Sequence, residues 1–287
     1  MAHRESFPII GAHVSKAEGL IGALSHAECI GAEAIQFFGS SPRSWRTIFP
    51  TTEEIAAYHA LFPKSGVRAV FLHASYLVNL ASVSGDNYAY STQSIIDHLT
   101  IAHMIGAQGL IFHLGSFKGG TKEEGMEKQV KAIQKALAAV PGDTQLIMEN
   151  TAGGGDKIGA SLEDIAYMLK AVHSPRLTVC YDTAHGFEAG LVSEYTTKSV
   201  KQLFDEWERV IGMEKLVAIH TNDSKTLSGS HHDQHENIGE GHIGLSGFKA
   251  LAKEARIAKV PWILEVPGFE DKGPDKKNID IFRSCFS

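Results

Sequence analysis

The stretch LVAIHTNDSKTLSGSHHDQHENIGEG, Leu216 to Gly241, decides how this chain is read. An apolar run, Leu216-Val217-Ala218-Ile219, stops at His220. Asn222 and Asp223 follow, then a polar, glycine-containing loop that carries Asp233-Gln234-His235 and closes on Gly239-Glu240-Gly241. A short buried strand that ends in His and runs into a loop bearing Asp-x-His offers three hard or borderline metal ligands. In extended chain alternate residues share a face, so Asp233 and His235 are expected to point the same way. For His231 and His232 the plain alternative is a solvated loop.

Working outward, seven more apolar runs have the same character: Ile9 to Ala12, Ala34 to Phe38, Ala69 to Leu72, Leu110 to Phe112, Leu146 to Met148, Leu177 to Cys180 and Trp262 to Leu264. Helical periodicity fills the gaps, over Lys16 to Ile30, Thr52 to Phe62, Tyr90 to Ile105, Lys122 to Val140, Ser161 to Val172, Thr197 to Ile211, Leu245 to Arg256 and Lys277 to Phe286. Hydroxyl and acidic residues mark helix starts at Thr51-Thr52-Glu53-Glu54 and at Ser161-x-Glu163-Asp164. Gly31, Gly66, Gly106 and Gly212 mark stops. Strict alternation of eight strands with eight helices predicts an α/β fold, a closed (β/α)8 TIM barrel. A doubly wound open sheet is the alternative. Nothing resembles a linker, so residues 1–287 read as a single domain.

Hydrophobic residues are 43% of the chain, enough for a large core. Cys29, Cys180 and Cys285 lie far apart and form no CxxC pair, which argues against a disulfide framework or a thiolate zinc site and fits a reducing, cytoplasmic compartment. The first residues, MAHRESFPIIGAHVS, hold no long apolar segment, so neither signal peptide nor membrane span is expected. The net charge of −6 speaks against a nucleic-acid partner unless carboxylates are neutralised by bound cations.

The residue after each apolar run is the informative one. The runs end in His13, His73, His113, Glu149, Asp182 (with His185 three residues on), His220 and Glu265; only the second, ending at Phe38 before Gly39, does not deliver an ionisable group. In a barrel the strands' C-terminal ends open on one face, where active sites lie. Buried charges need partners, and a metal cluster is such a partner. His, Asp and Glu without Cys suit zinc or manganese, and the imidazole share favours Zn2+. Nine candidate ligands (His73, His113, Glu149, Asp182, His185, His220, Asp233, His235 and Glu265) divide naturally among about three ions. Paired metals clamp both oxygens of an in-line phosphoryl displacement and activate water at neutral pH, which points to phosphodiester cleavage.

On these residues the chain resembles the endonuclease IV family of apurinic/apyrimidinic (AP) DNA endonucleases. The resemblance runs nearly end to end: Gly11-Ala12-His13-Val14-Ser15, Glu149-Asn150-Thr151-Ala152-Gly153, Asp182-Thr183-Ala184-His185, then HTNDSK, DQHENIGEGHIG and Leu264-Glu265. It implies a trinuclear zinc site. His73 and His113 would hold one ion, Asp182, His220 and Glu265 a second, with Glu149 bridging them, and His185, Asp233 and His235 the third. It further implies cleavage of double-stranded DNA 5′ to an abasic site, leaving a 3′-hydroxyl and a 5′-deoxyribose phosphate, and trimming of blocked 3′ ends. Arg43 and Tyr76, with Leu77 beside it, match residues that enter the DNA at the abasic gap. The chain departs from the family at Glu18-Gly19 (often Gly-Gly), Leu114 (often Pro) and Gln234 (often Arg), none of them a ligand position.

Lys118, Lys122, Lys157 and Lys225 fall in rim loops, where they could meet phosphates or simply be solvated. His13 is expected to orient a ligand or loop rather than bind metal. His26, His59, His98, His103 and His173 fall in or at the end of helical patterns, and His3 lies near the start. Two other readings compete. A xylose isomerase-like sugar isomerase or epimerase would use only Glu149, Asp182, His220 and Glu265. A non-catalytic lesion binder would have lost ligands, and none is lost. Nothing indicates an obligate dimer, so a monomer is expected.

Overall fold

A computed structural model describes residues 8–287, so His3 lies outside the described residues. In chain order the strands are β1 (Ile10–His13), β2 (Ala34–Phe38), β3 (Ala69–His73), β4 (Gly109–His113), β5 (Gln145–Glu149), β6 (Leu177–Asp182), β7 (Leu216–His220), the short β8 (Asp223–Ser224) and β9 (His235–Glu236), and β10 (Trp262–Leu264). Eight of them close into a parallel barrel in the order β1-β10-β7-β6-β5-β4-β3-β2. The seam is the β1–β10 pair, with Ala12 opposite Leu264. This is the closed α/β barrel that the alternation predicts, and the open sheet is excluded. It forms a single domain.

The helices are α1 (Gly19–Ile30), α2 (Thr52–Leu61), α3 (Gly85–Ile105), α4 (Lys122–Ala139), α5 (Leu162–Val172), α6 (Thr183–Glu188), α7 (Thr197–Val210), α8 (Gly244–Ala252) and α9 (Lys276–Arg283). The capping signals work as read. Thr51 accepts from the Glu54 N–H and Ser161 from the Asp164 N–H, and Gly31 and Gly106 end α1 and α3 in the left-handed conformation that glycine adopts freely. Three details differ. α3 begins five residues before Tyr90, because Ser84 caps a first turn of polar residues that carries no apolar periodicity. α8 stops at Ala252, and Ala255–Ile257 form a separate 3-10 turn. α6 is a ninth helix among the described residues, too short to show a period.

Two cores follow from the strand period of two. Outward residues such as Phe37, Leu72, Phe112, Met148, Val179, Ile219 and Trp262 are fully buried under the helices. Inward residues Ala34, Ala69, Phe71, Ile111, Ile147, Cys180, Ala218 and Ile263 fill the barrel. Gly11 completes that interior where β1 meets β2: a Cβ there would stand 2.0 Å from the Ala34 carbonyl oxygen. Backbone cannot yield as a side-chain tip can. Gly11→Ala is therefore expected to destabilise by about 2–3 kcal/mol, in the overpacking range, read as a lower urea midpoint at unchanged m-value; an unchanged midpoint would mean that β1 and β2 separate readily there.

Candidate metal centre

Two positions beyond each inward apolar residue, every barrel strand turns a polar side chain into the mouth. Gly11 leads to His13, Ala34 to Gln36, Phe71 to His73, Ile111 to His113, Ile147 to Glu149, Cys180 to Asp182, Ala218 to His220 and Ile263 to Glu265. The second strand is thus no exception. Its contribution is Gln36, in the middle of the apolar run; inspecting run ends misses it, whereas counting by twos from Ala34 finds it.

Three groups of ligand-type side chains gather there: His73, His113 and Glu149; Glu149, Asp182, His220 and Glu265; and Asp182, His185 and His235. Glu149, fully buried, belongs to two of them. Its Oε2 lies 3.1 Å from His73 Nε2 and 2.9 Å from His113 Nε2. Its Oε1 lies 2.8 Å from His220 Nδ1 and 3.2 Å from His185 Nδ1. Asp233 joins the third group through its Oδ1, 3.2 Å from His185 Nε2 and 3.6 Å from His235 Nε2. All nine candidate ligands therefore share one cluster.

Local structure aims each one. Asp182 caps α6, its Oδ1 accepting the His185 N–H at 2.8 Å, which is why the pair is spaced three apart. Its Oδ2 accepts from Asn222 Nδ2 at 2.7 Å. Asn150 clasps the Asp182 backbone on both sides. β8 and β9 pair antiparallel, Ser224 opposite His235, and so fold the loop back over the mouth with Asp233 and His235 facing the same way. Asp223 anchors that hairpin by accepting the backbone N–H groups of Gly239, Gly241, Ile243 and Gly244. Glu188 on α6 ties it from the other side, accepting from Ser224 Oγ at 2.7 Å and the Gln234 N–H at 3.2 Å. These supporting residues carry no signal at run ends.

The imidazoles are preset. His73 Nδ1–H donates to the Ala74 carbonyl (2.8 Å), His185 Nδ1–H to the Asn150 carbonyl (2.9 Å), His220 Nε2–H to Gln36 Oε1 (2.7 Å) and His235 Nδ1–H to the Glu265 carbonyl (3.4 Å). In a neutral ring the other nitrogen is then a bare lone pair. His185 Nε2 and His235 Nε2 are buried without a hydrogen-bond partner, and both aim at carboxylate oxygens. Lone pairs facing anions in a buried site require a cation between them, and outer N–H groups held by fixed acceptors are the usual support of metal-ligating histidines. The residues fit divalent metal.

Without that cation, protons substitute. Burial opposes charge on His185, yet Asp182, Asp233 and Glu149 raise it well above the ordinary imidazole range. Burial likewise opposes charge on His220, and Cys180, Glu149 and Glu265 overcome it. Burial would raise the Glu149 carboxyl, but His220 and His113 hold it well below its ordinary range.

A cavity of about 930 Å³ opens over the cluster, walled by His73, His185, His235 and Glu265 and by Ser41 and Tyr76 on the rim. Tyr76, 67% exposed, also borders a second cavity of about 310 Å³ containing Thr151 and Lys157. Its ring packs edge-on against Phe38 at 5.0 Å. Ser75 Oγ donates to the Pro42 carbonyl at 2.7 Å, which joins the Arg43 loop to the Tyr76–Leu77 loop; Arg43 is exposed and Leu77 half-buried. Lys118, Lys157 and Lys225 are exposed, whereas Lys122 Nζ is 2.6 Å from Asp164 Oδ1 and is committed to that ion pair. His231 is not merely solvated, since its Nδ1 donates to the Ala152 carbonyl at 3.1 Å; His232 is exposed.

Residues 24–285 match the family described as xylose isomerase-like TIM barrel. A protein of Chloroflexus aggregans named probable endonuclease 4 is 34% identical over 280 residues, 96% of this chain and 97% of the relative. The chain belongs to the endonuclease IV family. The crystal structure of endonuclease IV from Thermus thermophilus superposes with a TM-score of 0.83 at 33% identity, covering 97% of this chain and 98% of that one. A D-tagatose 3-epimerase-like protein shares the fold alone, at 17% identity and a TM-score of 0.70 over 96% of each chain.

The cluster's charge sets a pH dependence. Raised folded values mean that protonated His185 and His220 stabilise the metal-free fold below about pH 6.5, the ordinary imidazole value, and that this stability is lost as pH rises through the raised values. Metal needs those rings deprotonated and gains as they are. The melting-temperature difference between zinc-saturated and chelator-treated protein is therefore expected to widen as pH rises above about 6.5; a constant difference would remove these two histidines from the metal site.

Proposed function

We propose that this endonuclease IV family member is a zinc-dependent hydrolase of damaged DNA. It cuts the phosphodiester 5′ to an abasic site in double-stranded DNA, leaves a 3′-hydroxyl and a 5′-deoxyribose phosphate, and removes blocking groups from 3′ ends. It holds about three Zn2+ per chain, with Mn2+ acceptable at some positions, and acts as a monomer in the cytoplasm. The observation that carries this reading is the pair of buried, unpartnered imidazole nitrogens, His185 Nε2 and His235 Nε2, aimed at carboxylates over one mouth.

His73 and His113 would hold one ion, Asp182, His220 and Glu265 a second, and His185, Asp233 and His235 the third, with Glu149 shared by the first two. Bound there, the ions would supply Lewis acidity to the phosphate oxygens and acidify water near neutral pH. The chain's own residues do the rest. Glu149, with Oε2 toward His73 and His113 and Oε1 toward His220, would contribute to both seats. Glu149, Asp182, Asp233 and Glu265 would face cations rather than DNA, which leaves exposed Lys118, Lys157 and Lys225 to meet phosphates. An abasic nucleotide leaves the stack more cheaply than an intact one. Tyr76 can stack in the vacated space, and Arg43 can stack and contact phosphate. The sugar isomerase reading needs only Glu149, Asp182, His220 and Glu265, and gives no reason for His73, His113, His185, Asp233 and His235 to converge beside them.

Incubation with a duplex carrying one tetrahydrofuran abasic analogue tests the activity; a nick on its 5′ side is expected, and aldose–ketose interconversion without nicking would favour the isomerase. Elemental analysis of gently purified protein is expected to find about three metals per chain, and full activity with one would refute the trinuclear site. Glu149→Gln keeps the shape but removes the shared charge, so turnover should fall by orders of magnitude while abasic DNA still binds; near-normal turnover would misplace Glu149.

Recognition has its own test. Stacking contributes about 1–3 kcal/mol per base, so the double variant Arg43→Ala, Tyr76→Ala should lose roughly one to two decades of preference for abasic over intact duplex. Its metal content should be unchanged. Competition binding at one fixed salt concentration reads the ratio, and a wild-type ratio would place the reading elements in another rim loop.

A further inference from the structure

Gln36 is a fully buried amide in the middle of β2, between Ile35 and Phe37. It reaches across the mouth to partners far along the chain. Its Oε1 accepts the His220 Nε2–H at 2.7 Å. Its Nε2 donates to Glu265 Oε1 at 2.5 Å and to His13 Nδ1 at 2.9 Å. Both amide hydrogens are therefore used.

These partners dictate the amide's orientation. An ionised carboxylate only accepts, so the NH2 side must face Glu265 and the carbonyl must face His220. A carbonyl only accepts, so His220 must carry its proton on Nε2. In the neutral ring its Nδ1 is then bare and points at Glu149 Oε1 (2.8 Å), Glu265 Oε2 (3.2 Å) and Asp182 Oδ2 (3.8 Å). Glu265 is fixed in the same stroke: with Oε1 held by the amide, Oε2 is the oxygen turned toward His220 Nδ1.

We propose that Gln36 is the positioning residue of the Glu149–Asp182–His220–Glu265 seat, one amide that sets the His220 tautomer and holds the Glu265 carboxylate so that both present their inner atoms to a single divalent cation. This rests on the metal-site reading above. Without the amide, a neutral His220 would leave Nε2 buried and unpaired, and its better arrangement would be a proton on Nδ1 donated to Glu149. That proton would lie where the ion must enter. Gln36 acts by keeping it on the far side of the ring. Loss of such an outer partner commonly weakens metal binding or activity about 10–100-fold.

The test compares wild type, Gln36→Met (similar volume, no strong hydrogen bonding) and Gln36→Glu (an acceptor for His220, no donor for Glu265), each with 15N-labelled histidine. Long-range 1H–15N spectra read the His220 tautomer with and without zinc, and chelator competition reads the affinity of each ion. At a pH high enough that metal-free His220 is neutral, wild type should carry the His220 proton on Nε2 alone, with and without zinc. In metal-free Gln36→Met it should move toward Nδ1–H, and one zinc should bind about 10–100-fold more weakly while the others are unchanged. Gln36→Glu should restore the Nε2–H form. A wild-type His220 protonated at Nδ1, or a Met variant with unchanged tautomer and affinities, overturns the proposal. If the Met variant does not fold, Gln36→Glu decides: Nε2–H supports the proposal and Nδ1–H overturns it. Wild-type His220 resonances that ignore zinc would instead sink the metal-site reading, a separate result.

Discussion

Buried carboxylates facing bare imidazole nitrogens are the constraint on which this structure depends. Glu149 and Asp182 are fully sequestered from water, and Asp233 and Glu265 stand beside them at the mouth. Like charges brought this close in a low-dielectric site repel strongly. The fold tolerates the arrangement because histidines surround it and can carry protons or turn lone pairs toward a cation. Metal-free and metal-bound proteins thus answer the same electrostatic demand in two ways, with protons in one and divalent ions in the other.

Much of the molecule serves to hold that arrangement still. Asp182 is both a site residue and a helix cap, so the start of α6 and the position of His185 are set by one carboxylate. Asn150 holds the Asp182 backbone, and Asn222 donates to its Oδ2. Asp223 gathers the glycine-rich turn after β9, and Glu188 binds the same hairpin to α6. Each contact removes a rotation that would otherwise be lost when metal binds, so the centre is organised in advance. Below it the apolar layer from Ala34 round to Ile263 packs the barrel, and the polar layer sits two residues higher on every strand.

Sign of charge, read over the whole chain, is a poor guide to partner here. The net −6 comes in part from carboxylates that point inward at the cluster, where divalent ions would reverse the local potential. In the reading proposed above, a duplex meets Arg43, Tyr76 and the exposed lysines at the rim. Their partner is fixed by placement more than by number.

The barrel was legible in the chain because its signals are local. Strand runs such as Ala34–Phe38 and Trp262–Leu264, and the caps at Thr51 and Ser161, depend on a few neighbouring residues. The ionisable strand ends were legible for the same reason, since a strand that leaves the core must change from apolar to polar at one position. The short helix α6 and the early turns of α3 were not, because too few apolar residues repeat there to show a period. Gln36 was hidden inside an apolar run, and its role exists only through partners 184 and 229 residues away. Lys122 looked like a free rim cation until α4 and α5 brought Asp164 to it. Which nitrogen of each histidine carries a proton, and which carboxylate oxygen faces it, likewise follow from contacts between strands distant in the chain. Closing the barrel makes those contacts, so only the tertiary structure could decide them.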